Sequence, residues 1–233
     1  MANARRPYVI CHMGPTVDGR ITGISAAKSL TAAYERTAQT FDADGWVIGR
    51  ISMEPYAGKA NVPRTSNQKI PRTDFVANAN AMSYAIAIDP SGKLRWTTNA
   101  LDADHVITVL TQRVSNAYLA FLRAKQISYL FAGKTRIDLK SALGKLRTKV
   151  GIRRLLLEGG GRINGSFLEE GLIDELSILI APLANGSNGT PTLFDTGRRT
   201  SHGTKLRLTA VKRLENDIVW LRYRVQSLPH RRG

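Results

Sequence analysis

The 233-residue chain holds one cysteine, Cys11, which excludes any internal disulfide framework. Its four histidines, His12, His105, His202 and His230, are widely spaced. With a single cysteine they assemble neither a structural zinc site nor an H-x-E…C-x-x-C centre, so no metal is expected. No window approaches the ~18 uncharged apolar residues of a membrane-spanning helix. The N-terminal Met1-Ala2-Asn3-Ala4-Arg5-Arg6-Pro7 lacks the apolar stretch of a secretory signal. A soluble, cytoplasmic protein is expected. No Walker loop and no G-x-S-x-G elbow is found.

Acidic residues are scarce: 18 against 34 basic ones, a formal net charge of +16. Such a field attracts polyanions or small phosphorylated ligands. The cations are scattered, however, with short clusters only at Arg198-Arg199 and His230-Arg231-Arg232. No array of basic and aromatic residues at one helical spacing stands out. A solvated basic surface is the expected reading, and nucleic acid is not an expected partner.

What is present is an alternation of strand-like and helix-like runs, with 42% hydrophobic residues to build a core. Strands are expected at 8–13, 46–49, 83–88, 105–111, 128–132, 153–157 and 176–183. Helices are expected at 29–39, 116–125, 138–150 and 162–170, with a helical turn at 50–57. Asp138 is the expected N-cap of its helix, and Gly151 the stop. Residues 58–73 are polar, contain Pro63 and Pro71, and read as a long surface loop of the kind that often carries function. Runs at 205–212 and 218–225 around Glu215-Asn216-Asp217 read as a terminal hairpin. Alternating β and α with short links implies an α/β fold: a mixed, mostly parallel sheet flanked by helices, with a C-terminal antiparallel hairpin. One domain is expected over residues 1–233, its core about 6–226 and a basic tail at 227–233.

The segment richest in chemistry is Leu155-Leu156-Leu157-Glu158-Gly159-Gly160-Gly161-Arg162. An apolar strand ends in a carboxylate, and three glycines then lead into a helix. Bare N–H groups and the helix dipole at such a turn favour phosphate. The dinucleotide fingerprint G-x-G-x-x-G would need glycine at 164, where Asn164 stands, and no acid follows about 20 residues on, so a standard Rossmann unit is not expected. Three glycines in a row suit close approach by a ligand. Glu158 should lie partly desolvated at the sheet edge.

A second strand-to-helix turn, Gly49-Arg50-Ile51-Ser52, offers N–H groups with a guanidinium that can fork onto phosphate. A third strand end, Thr111-Gln112-Arg113, places Arg113 where it could meet a further phosphate. His12 sits within an apolar strand, a setting that more often means a satisfied core histidine. Thr16, Asp18 and Gly19 occupy the first strand's exit, with ordinary turn chemistry at Asp18-Gly19.

Taken together these residues resemble the pyrimidine reductases of riboflavin biosynthesis, within the dihydrofolate reductase-like fold. The resemblance runs from about Arg6 to Val225. Its most specific part is Leu156-Leu157-Glu158-Gly159-Gly160-Gly161-Arg162-Ile163-Asn164, continuing through Gly171-Leu172-Ile173-Asp174-Glu175-Leu176 to Gly189-Thr190-Pro191-Thr192-Leu193-Phe194. Thr16-Val17-Asp18-Gly19-Arg20-Ile21 is similar to the family's S-L-D-G-R-I turn. The chain departs from the family at His12, where a lysine is usual. It departs again at 49–55, which is more similar to the G-R-x-T-W turn of dihydrofolate reductases.

The resemblance implies NADPH-dependent hydride transfer to the sugar C1 of a ribosylaminopyrimidine phosphate, in a cytoplasmic homodimer. It implies that Gly159, Gly160, Gly161, Arg162, Gly49, Arg50 and Ser52 take cofactor phosphates, with Thr111 and Arg113 beside them. Arg113 or Arg50 would prefer the 2′-phosphate. Glu158, Asp18 and His12 would orient the substrate and manage its proton. Thr16 would hold the substrate, and Arg64 or Arg72, in the long loop, its phosphate. Two alternatives stay open: a dihydrofolate reductase using Glu35 against the pteridine, and a basic nucleic-acid-binding module on a reductase scaffold.

Overall fold

The computed structural model describes residues 5–22, 28–197 and 203–226. In chain order its elements are β1 (Tyr8–Met13), α1 (Lys28–Gln39), β2 (Gly45–Gly49), α2 (Arg50–Ala57), β3 (Tyr84–Ile88), β4 (Ala100–Leu101), β5 (Asp104–Leu110), α3 (Asn116–Ala124), β6 (Ser128–Phe131), α4 (Leu139–Lys149), β7 (Arg154–Leu157), α5 (Gly161–Glu169), β8 (Glu175–Ile180), β9 (Leu206–Arg213) and β10 (Val219–Val225). The basic clusters at 198–199 and 230–232 and the tail at 227–233 lie outside the described residues.

The fold is α/β, with a mixed sheet, flanking helices and a C-terminal antiparallel hairpin. It divides into two compact units interleaved in sequence: Met1–Pro7 with Ala43–Leu155, and Tyr8–Asp42 with Leu156–Gly233.

In the first unit, β2, β3 and β5 form a parallel ladder in which Gly49 pairs with Ile88 and Ile88 with Val109. β6 continues it in parallel along the second half of β5, while β4 turns back antiparallel on the first half. Every residue of β3 is buried, as expected of a parallel strand covered on both faces. Trp96, Leu119, Leu122, Ile127 and Tyr129 anchor the core beside it. Ser115 caps α3 by accepting from the Tyr118 N–H at 3.1 Å. Asp138 caps α4 through the Ser141 N–H at 2.9 Å, and Gly151 follows with a positive φ of 77°.

In the second unit, β1 runs parallel to β8, β8 antiparallel to β10, and β10 antiparallel to β9 with a bulge between Arg222 and Tyr223. The hairpin turn holds Asn216 and Asp217 in the left-handed region, a conformation Asn and Asp tolerate better than most residues.

Three differences from expectation have local causes. β4 has two residues, too few to leave a periodic trace. The turn at 50–57 is a full eight-residue helix despite Pro55 inside it. The polar loop begins at 58, as expected, and continues to the start of β3 at Tyr84.

Candidate active site

Leu155, Leu156 and Leu157 are buried in β7, and Glu158 leaves the strand half-buried. Gly160 takes φ 52° and ψ 142° as the residue before α5, with no side chain to cap the helix. Its positive φ is the reason glycine is needed there.

Gly161 and Gly165 are glycines for a different reason. A Cβ on Gly161 would collide with the Thr192 carbonyl and the Asp195 carboxylate, and one on Gly165 with the Asp195 carbonyl. The segment 192–195 lies as a strap across the first turn of α5. The Asp195 N–H donates to the Gly161 carbonyl at 2.9 Å, and the Asn164 amide donates to the Leu193 carbonyl at 3.1 Å. The Thr192 hydroxyl and N–H both donate to Asp195 Oδ1, at 2.6 and 3.2 Å. On its other edge the strap meets the first turn: the Leu193 N–H donates to Gly19, and Ile21 donates to Pro191. Close approach to the Cα of Gly161 is therefore made by the chain itself, so the strap, not a ligand, accounts for the missing side chain at 161. Arg162 is exposed.

The turn at 16–20 is built around Asp18. Its carboxylate accepts from the Thr16 hydroxyl at 2.6 Å and from the N–H groups of Asn185 and Gly186 at 3.0 and 2.9 Å. Arg20 lies 3.9 Å away. The Asn185 N–H, then the Thr16 hydroxyl and the Gly186 N–H, hold this carboxyl well below the usual carboxylate range. Asp18 is an anion at neutral pH with no proton to give, and it ties the loop at 185–186 to the turn. Thr16 is buried and bridges Ala181, extending the ladder of β1 and β8.

His12 belongs to the core of the second unit. The Tyr34 carbonyl, 3.1 Å from Nε2, can only accept, so Nε2 carries the proton. Nδ1 then accepts from the Ser177 hydroxyl at 2.9 Å, and Ser177 Oγ accepts from the Trp220 indole N–H at 2.8 Å. Burial pushes the His12 ring down to about 4, so it is neutral at pH 7. Both nitrogens are engaged and the residue is fully buried. That removes His12 from the candidate proton carriers, because no ring atom is left for a substrate. Burial also raises the Cys11 thiol, with the Glu158 charge adding to the effect.

In the first unit, Gly49 precedes α2 with an extended backbone and no side-chain cap, leaving the first N–H groups of the helix without side-chain partners at that point. Arg50 ion-pairs with Glu54 one turn on, and Ser52 is half-buried. Thr111 is buried, and its hydroxyl donates to the Pro90 carbonyl at 2.7 Å. Arg113 is exposed beyond the end of β5.

Between these strand ends lies a residue the sequence did not single out. Asp89 follows β3 and is fully buried. Its Oδ2 accepts from the N–H groups of Lys93 and Leu94 at 2.7 and 2.9 Å and from the Tyr118 hydroxyl at 3.3 Å, while Oδ1 has no hydrogen-bond partner. Burial raises its carboxyl against those bonds. Asp89-Pro90-Ser91-Gly92 reads as an ordinary turn, so no local signal marks it.

Arg72 donates to the Val114 carbonyl and to Asn116 Oδ1. Its guanidinium pins the long loop to the start of α3, which corrects its reading as a phosphate ligand. Arg64 is exposed on the same loop. Glu35 is exposed on α1, whereas His12 meets that helix at Tyr34 and Thr37. The placement of Glu35 removes the buried carboxylate that the dihydrofolate alternative needs. Among the described residues no group of three or more His, Cys, Asp or Glu could hold a metal ion. No described helix is long and apolar enough to cross a membrane.

Residues 7–220 match the family described as the RibD C-terminal domain. The chain is 31% identical over 198 residues to the 2,5-diamino-6-ribosylamino-4(3H)-pyrimidinone 5′-phosphate reductase of Methanothermobacter thermautotrophicus, covering 82% of this chain and 84% of that protein. Among solved structures it superposes on Acinetobacter baumannii RibD with a TM-score of 0.70 at 21% identity, over 96% of this chain and 59% of that one. A pyrimidine reductase-like protein from Corynebacterium diphtheriae gives a TM-score of 0.71 at 18% identity, over 95% and 92% of the two chains.

Proposed function

The chain belongs to the RibD C-terminal domain family, and on that premise we propose that it is an NADPH-dependent reductase of a ribosylaminopyrimidine phosphate in riboflavin biosynthesis. In this reading residues 6–226 work as one reductase domain, in a cytoplasmic homodimer. The observation that carries the proposal is the exit of β7. A half-buried Glu158 is followed by Gly159, by Gly160 with its positive φ, and then by a helix with no side-chain cap.

Each glycine turn, taken by itself, fits a phosphate. Gly49 and Gly160 both precede helices with no side-chain cap, and uncapped helix N-termini are anion sites. The cofactor's phosphates are assigned to the N–H groups of 159–162 and 49–52, with the Arg50 guanidinium beside the latter. Arg113, exposed at the end of β5, is assigned to the 2′-phosphate that distinguishes NADPH from NADH. Thr111 holds the 89–94 loop in place under it. When bound, a nicotinamide would supply hydride for the sugar C1; opening the ring C1–O bond there would release an oxygen that needs a proton.

Glu158 is the residue assigned to orient the substrate and handle that proton. Asp18, held ionised, positions the loop at 185–186, with Thr16 fixing the turn beneath it. Arg64 is assigned to the substrate phosphate.

The test is NADPH oxidation, followed by nicotinamide absorbance, against ribosylaminopyrimidine phosphates and dihydrofolate in parallel. Consumption with the first, and a product heavier by two hydrogens in mass spectrometry, is expected. No oxidation with any ribosylaminopyrimidine phosphate would overturn the proposal, and turnover of dihydrofolate alone would restore the alternative.

A further inference from the structure

Asparagine followed by glycine occurs three times in the chain, at Asn164-Gly165, Asn185-Gly186 and Asn188-Gly189. This dipeptide is chemically unstable in water. The glycine nitrogen attacks the asparagine side-chain carbonyl carbon, and glycine has no Cβ to hinder the closure. As the new N–C bond forms, the side-chain nitrogen leaves as ammonia, carrying with it the proton lost by the glycine N–H. Water then opens the five-membered imide at either carbonyl, giving aspartate or isoaspartate. Two groups must be free for this: the asparagine side chain, to swing onto its own main chain, and the next N–H, to give up its proton. The residues that follow, Ser166, Ser187 and Thr190, are alike, so only the fold can rank the three sites.

The structure holds two of them. Asn164 is fully buried in α5, and its amide donates to the Leu193 carbonyl at 3.1 Å. The Asp195 carbonyl fills the space beside Gly165. At Asn185 both halves of the reaction are restrained. The side-chain amide donates to the Thr22 carbonyl at 3.1 Å, and its Oδ1 accepts from the Ser187 N–H at 3.1 Å. The Gly186 N–H donates to the Asp18 carboxylate at 2.9 Å. An anion facing that nitrogen opposes removal of its proton. Asp18, held well below the usual carboxylate range first by the Asn185 N–H, is too weak a base to take it. Asn188 differs in every respect. It is exposed. Among the described residues neither its side chain nor the Gly189 N–H has a hydrogen-bond partner. Nothing lies within 4 Å of where a Cβ on Gly189 would stand.

We propose that Asn188 is a site of spontaneous modification in the native protein, converting to aspartate and isoaspartate while the Asp18 clamp preserves Asn185 in the same loop. The position gives the change a consequence. Asn188 lies on the short link between Gly186, which Asp18 holds, and Thr190, whose carbonyl accepts from Arg20 at 2.8 Å. Isoaspartate reroutes the main chain through the side-chain methylene and lengthens that link by one carbon. Either product adds a negative charge. This chemistry is independent of the reaction assigned to the chain.

The test is to hold the folded full chain at mildly alkaline pH for several weeks, digest samples with pepsin in acid, where ring closure is slow, and locate each conversion by fragmentation mass spectrometry. Asn188 is expected to convert at least about tenfold faster than Asn185, the factor that a charge-assisted hydrogen bond at Gly186 supplies. Asn164 is expected to stay intact, and ion exchange to show a more acidic species growing at the rate of Asn188. The wild type in guanidinium chloride is the comparator: with the fold gone, all three asparagines are expected to convert at similar rates. Asp18→Ala frees the Gly186 N–H and is expected to raise conversion at Asn185 several-fold. Equal conversion at 185 and 188 in the folded chain, or an intact Asn188 while the denatured chain converts, overturns the proposal. A folded Asp18→Ala variant that still preserves Asn185 overturns the role given to Asp18. The comparison of folded with denatured wild type decides the main point even if that variant does not fold. Mass is read without any turnover, so failure here does not touch the reductase reading.

Discussion

Acid should weaken this protein through His12 before most carboxylates titrate. In the folded chain the ring is lowered from 6.5 to about 4, chiefly by burial. Between those two values the unfolded chain binds a proton at this position and the folded chain does not. Stability therefore rises with pH across the window and falls as pH drops from 6.5 towards 4. At about 1.4 kcal/mol per pH unit, the gap corresponds to about 3 kcal/mol. The structural cause is the one-way chain of donors from Trp220 to Ser177 to His12 to the Tyr34 carbonyl. A proton on Nδ1 would turn the acceptor of that chain into a donor facing the Ser177 hydroxyl. The hydroxyl would have to reverse inside a buried site, leaving its own hydrogen without a partner.

The assay is urea unfolding of the wild type and of His12→Gln at pH 7.0, 6.0, 5.0 and 4.5. His105, lowered by burial in the same direction, and Asp89, raised by burial, titrate in both proteins and largely cancel in the difference. At pH 7 the variant should be the less stable, by about 1–3 kcal/mol for the broken buried network. By pH 4.5 the wild type should have lost about 2–3 kcal/mol more than the variant. A difference that stays constant with pH, or that widens in favour of the wild type on acidification, would refute the placement of a neutral, buried His12.

Gly161→Ala drives a methyl group into Thr192 and Asp195 and should lower stability by about 1–3 kcal/mol in thermal unfolding; an unchanged midpoint would mean that the strap does not lie on α5. Glu158→Gln should cut kcat by about 100-fold or more while the NADPH dissociation constant, from fluorescence titration, moves less than about threefold. Arg113→Ala should weaken NADPH by about tenfold and leave NADH unchanged, and equal loss for both cofactors would take the 2′-phosphate away from Arg113.

Much of the framework was legible because apolar runs end at glycine or at a cap. β1 was read with its observed bounds, and the Asp138 cap and Gly151 stop were where local chemistry put them. The candidate site was legible in part. The turn after β7 announced itself, but what lies against it did not. Asp195 stands 34 residues beyond Gly161 (195 − 161), and no period or motif connects them. Asp89 was hidden in an ordinary turn signal, and its burial depends on Tyr118 and Leu94 closing over it. His12 was legible as a core residue from its apolar strand. Its alternative role as a proton carrier came from its place among chemical residues, which a sequence shows without showing direction. Arg72 failed for the same reason: a loop guanidinium looks available until its acceptors are known.

The interleaving of the two units sets an order on folding as the chain emerges from the ribosome. The first unit is contiguous from Ala43 to Leu155 apart from its seven N-terminal residues, so its local contacts can close early. β8, the neighbour described above as parallel to β1, arrives much later: Ile10 meets Glu175, 165 positions on (175 − 10). Until then the run Val9-Ile10-Cys11-His12-Met13 has no β8 to pair with, and its sole thiol is open to oxidation. Pairings this distant in sequence are slow to form and leave sticky strands exposed while they wait. The protein's dependence on chaperones should therefore track the N-terminal strand, and slowed translation through β8 should lengthen the period of risk.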